Sequence, residues 1–269
     1  MKRFLFVLIF AVLLWSCHDS VLTEPEPQPD QPIAEPLLQT VPGSAGQIAF
    51  RSTRDGKYRI YTMNEDGSGQ TNISGDGYDK DPAFSPNGSQ IVFARWTDGG
   101  SYDIWVMNAD GSSQVRLTAG DCDEQSPAWS PDGSQIAYAS CEDGYDDIWV
   151  MNTDGSGQAN LTDSPTSSDN LPSWFGSQVV FTSSYEEGDG HGDTEVYVIN
   201  TDGTARTNLT NSPSSSDYSP EWSPDGTQIL FTSDRDGDVE VYVMQSDGSG
   251  PTSVTGNPTT SDSRGTWSP

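Results

Sequence analysis

The stretch S-P-A-W-S-P-D-G-S-Q-I-A-Y-A-S-C-E-D-G-Y-D-D-I-W-V-M-N-T-D-G-S-G-Q-A-N-L-T, residues 126–162, is the unit from which this chain is built. Its core motif, W/F-S-P-D/N-G-S/T-Q-I, starts at Phe84, Trp129 and Trp222, with a shortened form at Trp174 and a last W-S-P at Trp267. These five aromatic residues are spaced by 45, 45, 48 and 45 positions. A period in this range indicates a repeat architecture, so the fold of the chain follows from the fold of one repeat.

Each repeat contains four short apolar runs separated by turn residues, which predicts four strands and no helix. In the quoted repeat the runs are residues 127–129, 136–140, 148–152 and 160–162. S-P-D-G predicts the first turn, and T-D-G-S-G predicts a hairpin between the last two runs. The runs do not alternate between apolar and polar residues, so we expect both faces of each sheet to be covered.

A four-stranded sheet that recurs every 40 to 50 residues is typical of the blade of a β-propeller. The run W-S-P-D-G-S-Q-I-A-Y-A-S, followed by D-I-W-V-M-N-T-D-G and N-L-T, resembles the WD40-like (PD40) repeat of TolB-type propellers, which is also found in prolyl-oligopeptidase propellers. The resemblance covers about residues 46–269. It implies the fold and does not imply a function. In TolB an α/β domain precedes the propeller, whereas here a proline-rich segment takes that position.

The first and last repeats are incomplete in complementary ways. The first repeat begins at Gly46 and lacks a leading W-S-P strand, while residues 265–269 supply such a strand with nothing after it. We therefore predict an all-β, five-bladed propeller of four-stranded antiparallel blades, whose first blade is closed by the C-terminal strand. The alternative is an open array in which Trp267 starts a further blade.

The residues before the repeats predict export and membrane anchoring. Residues 1–16 have a basic start and a short apolar run, which is typical of a signal peptide. L-W-S-C resembles a bacterial lipobox and implies lipidation of Cys17; an ordinary signal peptide with an incidental cysteine is the alternative. His18 follows in place of the aspartate that implies inner-membrane retention, which favours the outer membrane. Residues 17–45 form a Pro/Glu-rich disordered tether, and residues 46–269 form the propeller, in the periplasm or at the cell surface.

The charge of the chain limits its partners. It has 40 acidic and 12 basic residues and a net charge of −28. Nucleic acid is excluded as a main partner because phosphate contacts need Lys and Arg. We expect a monomer that meets the membrane through its lipid and binds an envelope or extracellular protein or peptide, or a surface polymer.

A carboxylate stands five positions before the tryptophan or phenylalanine of each repeat: Asp79, Glu124, Asp169, Asp217 and Asp262. In a closed ring these side chains would lie in equivalent loops near one mouth of the channel, where they could hold a cation or a basic segment of a partner. Alternatively, each carboxylate accepts backbone N–H bonds and fixes the loop before the innermost strand. We favour this structural role.

Repeat four carries an insertion in its later hairpin, with Glu186, Glu187, Asp189, His191 and Asp193. Insertions of this kind often lie on a binding rim. The acidic residues could bind a divalent ion such as Ca²⁺, but their spacing selects no metal. We therefore assign no metal and no cofactor, and we favour a solvated loop.

Cys122 and Cys141 lie almost opposite each other in a hairpin centred on the S-P-D-G turn. Because an exported protein meets an oxidising environment, we predict a disulfide between them. Two free thiols are the alternative.

The sequence offers little material for catalysis. It has two histidines, His18 and His191, and no G-x-S-x-G motif. We predict a membrane-anchored, extracytoplasmic binding or scaffold propeller without catalysis. The alternatives are a metal-dependent enzyme such as a glycan lyase, with its site at the carboxylates or the inserted loop, and a passive surface spacer.

Overall fold

A computed structural model describes residues 46–142, 144–185, 193–256 and 260–267. Their regular elements are all β-strands, and these residues include no helix that is long and apolar enough to cross a membrane. The predicted signal peptide, the lipidation site at Cys17 and the tether lie outside the described residues. The same holds for Glu186, Glu187, Asp189 and His191 of the inserted loop.

The strands of the described residues form five antiparallel sheets, in each of which strands that are consecutive in the chain are neighbours. The first blade contains β1 Gln47–Ser52, β2 Arg59–Asn64 and β3 Thr71–Asn72, and the second contains β4 Tyr78–Phe84, β5 Gln90–Trp96, β6 Tyr102–Asn108 and β7 Val115–Arg116. The third contains β8 Glu124–Trp129, β9 Gln135–Ser140, β10 Asp147–Asn152 and β11 Ala159–Asn160, and the fourth contains β12 Ser167–Phe175, β13 Gln178–Tyr185, β14 Thr194–Asn200 and β15 Thr207–Asn208. The fifth contains β16 Asp217–Trp222, β17 Gln228–Ser233, β18 Glu240–Gln245 and β19 Thr252–Ser253.

The S-P-D-G-S-Q motif folds as the turn that joins the two innermost strands of a blade. In the third blade the Ser130 amide donates to the Gln135 carbonyl over 2.9 Å. The Asp132 carboxylate accepts from the Ser130 hydroxyl over 2.7 Å and from the Ser134 amide over 3.0 Å. Gly133 has a φ of +72°, a left-handed conformation that glycine adopts without strain. The turn sets the register in which Trp129 pairs with Ile136.

The apolar core lies between blades. One cluster of buried side chains joins Val92 and Ile104 of the second blade to Trp129, Ile136 and Met151 of the third. Equivalent clusters join the third blade to the fourth, the fourth to the fifth and the first to the second. A single sheet could not bury both of its faces, so the blades stabilise one another.

Residues 261–267 complete the ring. The Asp262 amide donates to the Val239 carbonyl over 2.7 Å, just as the Asp79 amide donates to the Tyr58 carbonyl over 3.0 Å where the second blade meets the first. The segment thus lies on the fifth blade as the innermost strand of a following blade does. This is the position of the innermost strand that the first sheet, β1-β2-β3, lacks. Among the described residues the segment forms no ladder with β1. The prediction of an all-β, five-bladed propeller is confirmed.

A disulfide joins Cys122, just before β8, to Cys141, just after β9, with 5.7 Å between the Cα atoms. The bond fastens the start of the innermost strand of the third blade to the adjacent strand.

Candidate functional site

The innermost segments of the five blades surround a central channel of about 420 Å³. Each segment contributes an equivalent residue at the point where the channel begins, and four of these residues precede a proline: Asp81, Ser126, Leu171, Ser219 and Arg264. The residue that follows in each of these segments also lines the channel: Pro82, Pro127, Pro172, Pro220 and Gly265. The channel therefore has a repeated wall with different side chains on each blade.

All five residues that begin the channel wall have a left-handed backbone, with φ between 52° for Ser126 and 56° for Leu171 and Arg264. The strand register shifts at this point in each of the four complete blades, for example between Lys80 and Ala83. Such a bulge changes the direction in which the following side chains point. A left-handed residue that is not glycine costs about 1 kcal/mol, so five in one ring mark a specifically shaped surface.

The third position of the wall contains one acidic residue. Four blades have Ala83, Ala128, Ser173 or Thr266 there, and the fifth has Glu221. Glu221 Oε1 accepts a hydrogen bond from Thr266 Oγ1 over 2.9 Å. Burial raises the pKa of Glu221 to about 7. Among the described residues no lysine, arginine or histidine lies within ion-pair distance of it.

The remaining wall is largely apolar. Aromatic side chains follow the third position, and prolines and a phenylalanine lie at the far end: Phe84, Trp129, Trp174 and Trp222, then Pro86, Pro131, Phe175 and Pro224. Proline and aromatic surfaces bind apolar groups, and Glu221 can accept a hydrogen bond from a ligand N–H group. Asp81 and Arg264 add one negative and one positive charge where the channel begins.

The predicted carboxylate ring lies elsewhere. Asp79, Asp169 and Asp217 are fully buried and each is paired with an arginine: Asp79 Oδ1 with Arg95 Nε at 2.6 Å, Asp169 Oδ2 with Arg206 Nη1 at 2.9 Å and Asp217 Oδ2 with Arg235 Nη2 at 3.0 Å. Burial raises the pKa of Asp169, and Arg206 opposes that shift. These carboxylates hold strands together inside the blades through arginine side chains, whereas the structural alternative gave them backbone N–H groups as partners.

Glu124 is buried as well, but its surroundings differ. Its Oε2 accepts from Thr118 Oγ1 over 2.5 Å, and among the described residues it has no arginine partner. Burial, with smaller contributions from Asp103 and Glu142, raises the pKa of Glu124 to about 7. Asp262 is partly exposed. None of the five predicted carboxylates lines the channel wall. The wall starts two residues further along each chain segment, at the bulge.

Of the inserted loop in repeat four, only Asp193 belongs to the described residues, where it is partly buried. Within the described ranges no group of three or more His, Cys, Asp or Glu side chains is placed to hold a metal ion. The solvated loop, with a divalent ion as its alternative, stays a prediction.

Comparisons with known proteins agree with this geometry. The family model described as TolB beta propeller domain matches residues 71–187 and 172–269. The solved structure of a putative TolB from Agrobacterium tumefaciens is 22% identical, has a TM-score of 0.68, and shares 81% of this chain and 82% of that chain. TolB from Acinetobacter baumannii is 19% identical with a TM-score of 0.59, and 76% of this chain matches 50% of that chain.

An enzyme is also similar in fold. Oligogalacturonate lyase from Vibrio parahaemolyticus is 13% identical with a TM-score of 0.60, over 82% of this chain and 65% of that chain. No curated protein sequence is similar enough to count as a match. At these identities the likeness to solved structures shows the fold alone.

Proposed function

This chain belongs to the TolB β-propeller domain family, and from that membership we propose that it is a binding protein whose central channel receives a segment of a protein partner outside the cytoplasm. The channel is the feature that supports this role best. It combines apolar walls of proline and tryptophan with the carboxyl group of Glu221, which has no cationic partner among the described residues. A concave apolar site with few polar groups is the usual form of a ligand site.

The shape and chemistry of the channel favour an extended peptide. Proline and aromatic residues on the five inner segments offer flat apolar surfaces to a chain that passes between them. Glu221 can accept a hydrogen bond from an amide or an ammonium group of that chain, and Asp81 and Arg264 can pair with charged side chains at the entrance. The ligand we expect is an extended segment that has apolar side chains and at least one nitrogen donor.

A channel-blocking substitution tests this proposal. Leu171→Arg would place a long charged side chain in the channel at a position that already has a left-handed backbone. Val115→Arg is the matched control, because it adds the same side chain at an outer strand position that is 51% exposed. The full chain with a photo-crosslinking residue in place of Ser126 is exposed to solubilised envelope proteins, and the adducts are compared.

We expect a specific adduct that Leu171→Arg abolishes and Val115→Arg leaves unchanged. Adducts that survive Leu171→Arg would contradict docking in the channel.

Membrane anchoring forms the second part of the proposal. Support comes from the L-W-S-C motif at Cys17, the apolar run before it and the proline-rich residues that follow. Labelling of cells with a radioactive fatty acid should mark the wild-type protein and leave Cys17→Ser unlabelled. Equal labelling of both, or labelling of neither, would contradict a lipid anchor at Cys17.

A further inference from the structure

The basic residues of this acidic protein are unevenly distributed. Among the described residues, the lysines and arginines that pair with carboxylates are Arg59, Arg95, Arg116, Arg206 and Arg235. Five have no carboxylate ion pair in the described ranges: Arg51, Arg54, Lys57 and Lys80 lie in the first two blades, and Arg264 lies in the channel wall. A cation that no carboxylate neutralises is available to an external anion.

Three of these cations lie with aromatic residues in one surface, which we call the seam patch: Arg51, Lys57, Tyr58, Tyr78, Lys80 and Trp96. The Arg51 guanidinium carbon is 4.6 Å from the centre of the Tyr58 ring. Lys57 Nζ is 4.5 Å from the centre of the Tyr78 ring. The patch therefore consists of cations that are held over aromatic faces.

The members of the seam patch are linked across the boundary between the two blades. The Asp79 amide, next to Tyr78, donates to the Tyr58 carbonyl over 3.0 Å. Tyr78 pairs with Trp96 in the sheet of the second blade. The Tyr102 ring contacts both Trp96, with 5.1 Å between ring centres, and Lys80, whose Nζ lies 3.8 Å from its centre. The surface is thus continuous, and Tyr58 and Trp96 are 37% and 38% exposed.

One position of the same rim has the opposite charge on three other blades. Lys57 and Tyr58 immediately precede β2, and the equivalent positions before the third strands of the other blades include Asp146, Asp193 and Asp238. At this position the first blade thus has a lysine where three other blades have an aspartate, although Asp55, Asp76 and Asp98 are exposed acidic residues in the loops of the first two blades. Lys80 also has Asp81, Asp123 and Asp146 near enough to attract it. For this reason we assign the principal anion contacts to Arg51 and Lys57.

We infer that the seam patch binds a short, carboxylate-rich peptide segment of a protein partner. Arginine pairs with carboxylates through planar, bidentate hydrogen bonds, and tyrosine, tryptophan and arginine provide most of the binding energy in protein interfaces. A short segment fits better than a long acidic polysaccharide. The net charge of −28 would repel carboxylates that extend beyond the patch.

A peptide-binding measurement tests the inference. A fluorescent hexaglutamate peptide is titrated with the full chain at low ionic strength and its anisotropy is recorded. Arg51→Gln and Lys57→Gln should each weaken binding about two- to fivefold, the range expected for one exposed ion pair, and added salt should weaken it further. Arg54→Gln is the matched control, because Arg54 is exposed and stacks on Phe50 and Tyr61 outside the seam patch, so removing its charge should weaken binding less than Arg51→Gln or Lys57→Gln does.

Three results would overturn the inference. These are absence of hexaglutamate binding at millimolar protein, equal weakening by Arg54→Gln and by Lys57→Gln, and tighter binding of an oligogalacturonate with the same number of carboxylates. The last result would assign the seam patch to an acidic saccharide.

Discussion

Replacing Glu124 with glutamine should make this protein more stable at alkaline pH. Glu124 is 4% exposed, and the raised pKa of its carboxyl, about 7 against an ordinary value of 4.5, means that the folded chain keeps a proton that the unfolded chain has already released. Unfolding therefore releases a proton between about pH 4.5 and about pH 7. The free energy of unfolding falls as pH rises through that range.

The size of the effect follows from the same two pKa values. A pKa difference of this size corresponds to about 3 kcal/mol of stability. The wild-type protein loses this stability between about pH 4.5 and about pH 7, whereas Glu124→Gln, which has no carboxyl to titrate at this position, does not. Glutamine retains an oxygen to accept from Thr118 Oγ1, and it adds an N–H group beside Asp103. Asp103 Oδ2 is buried and otherwise has no hydrogen-bond partner among the described residues, so the glutamine N–H group can take over the donor role that the protonated Glu124 carboxyl has toward Asp103.

Urea unfolding followed by tryptophan fluorescence at about pH 5 and about pH 8 measures the difference. The gain in stability of Glu124→Gln over wild type should be larger at the higher pH by up to about 3 kcal/mol. Asp98→Asn is the control, since Asp98 is exposed and its replacement should have no pH-dependent effect. A gain that is the same at both pH values would refute the reasoning.

Three further changes test the packing of the blades by the same urea assay. Asp169→Asn should lower the free energy of unfolding by about 3 kcal/mol, because Arg206 loses its buried counter-charge. The double variant with Arg206→Met should recover part of that loss. A double variant that is as unstable as Asp169→Asn would contradict the pairing. Reduction of the disulfide between Cys122 and Cys141 should cost about 3 kcal/mol, and equal unfolding midpoints with and without reductant would contradict a structural role. Gly226→Ala should destabilise by about 1 to 3 kcal/mol more than Gly237→Ala. Both glycines are left-handed, but a Cβ at residue 226 would overlap the Phe175 ring and one at residue 237 meets no atom, so equal losses would contradict the packing at Phe175.

The repeat motif was sufficient to predict the architecture. The regular spacing of W-S-P predicts equivalent blades, and the S-P-D-G-S-Q turn predicts the register in which Trp129 pairs with Ile136. The missing first strand and the extra last one predict that the C-terminal strand completes the first blade, and residues 261–267 lie against the fifth blade, on the side where the next blade follows. These features depend on local turn chemistry and on periodicity, which are visible in a single sequence.

The channel lining could not be predicted in the same way. The bulge between Lys80 and Ala83 reverses the alternation of side chains, so the channel receives Asp81 while Asp79 is buried inside the blade. No spacing rule signals such a bulge. Glu221 is different, because S-P-E-W departs from the alanine of the quoted repeat at a position next to the predicted channel. That departure was a signal that could have identified it.

The arginine partners of the buried aspartates were also beyond sequence reasoning. Arg95 lies in β5, Arg206 immediately before β15, and Arg235 in the hairpin after β17. These positions are not equivalent in the repeats, so no common spacing connects the pairs. Each buried aspartate needs a counter-charge, and each of the three receives it from a different position in the repeat. Only the folded arrangement of the strands shows which arginine pairs with which aspartate.

The central claim is that residues 261–267 lie on the fifth blade as the innermost strand of a following blade does, and thereby form the fifth side of the channel. Amide hydrogen exchange followed by NMR tests it most directly, because the Asp262 amide donates to the Val239 carbonyl and the Arg264 amide to Thr232 Oγ1. We predict that both amides are protected to the same degree as those of Asp79 and Ser219, which make the equivalent bonds between other blades. Exchange of Asp262 and Arg264 at unprotected rates, with Asp79 and Ser219 still protected, would contradict this position of the segment.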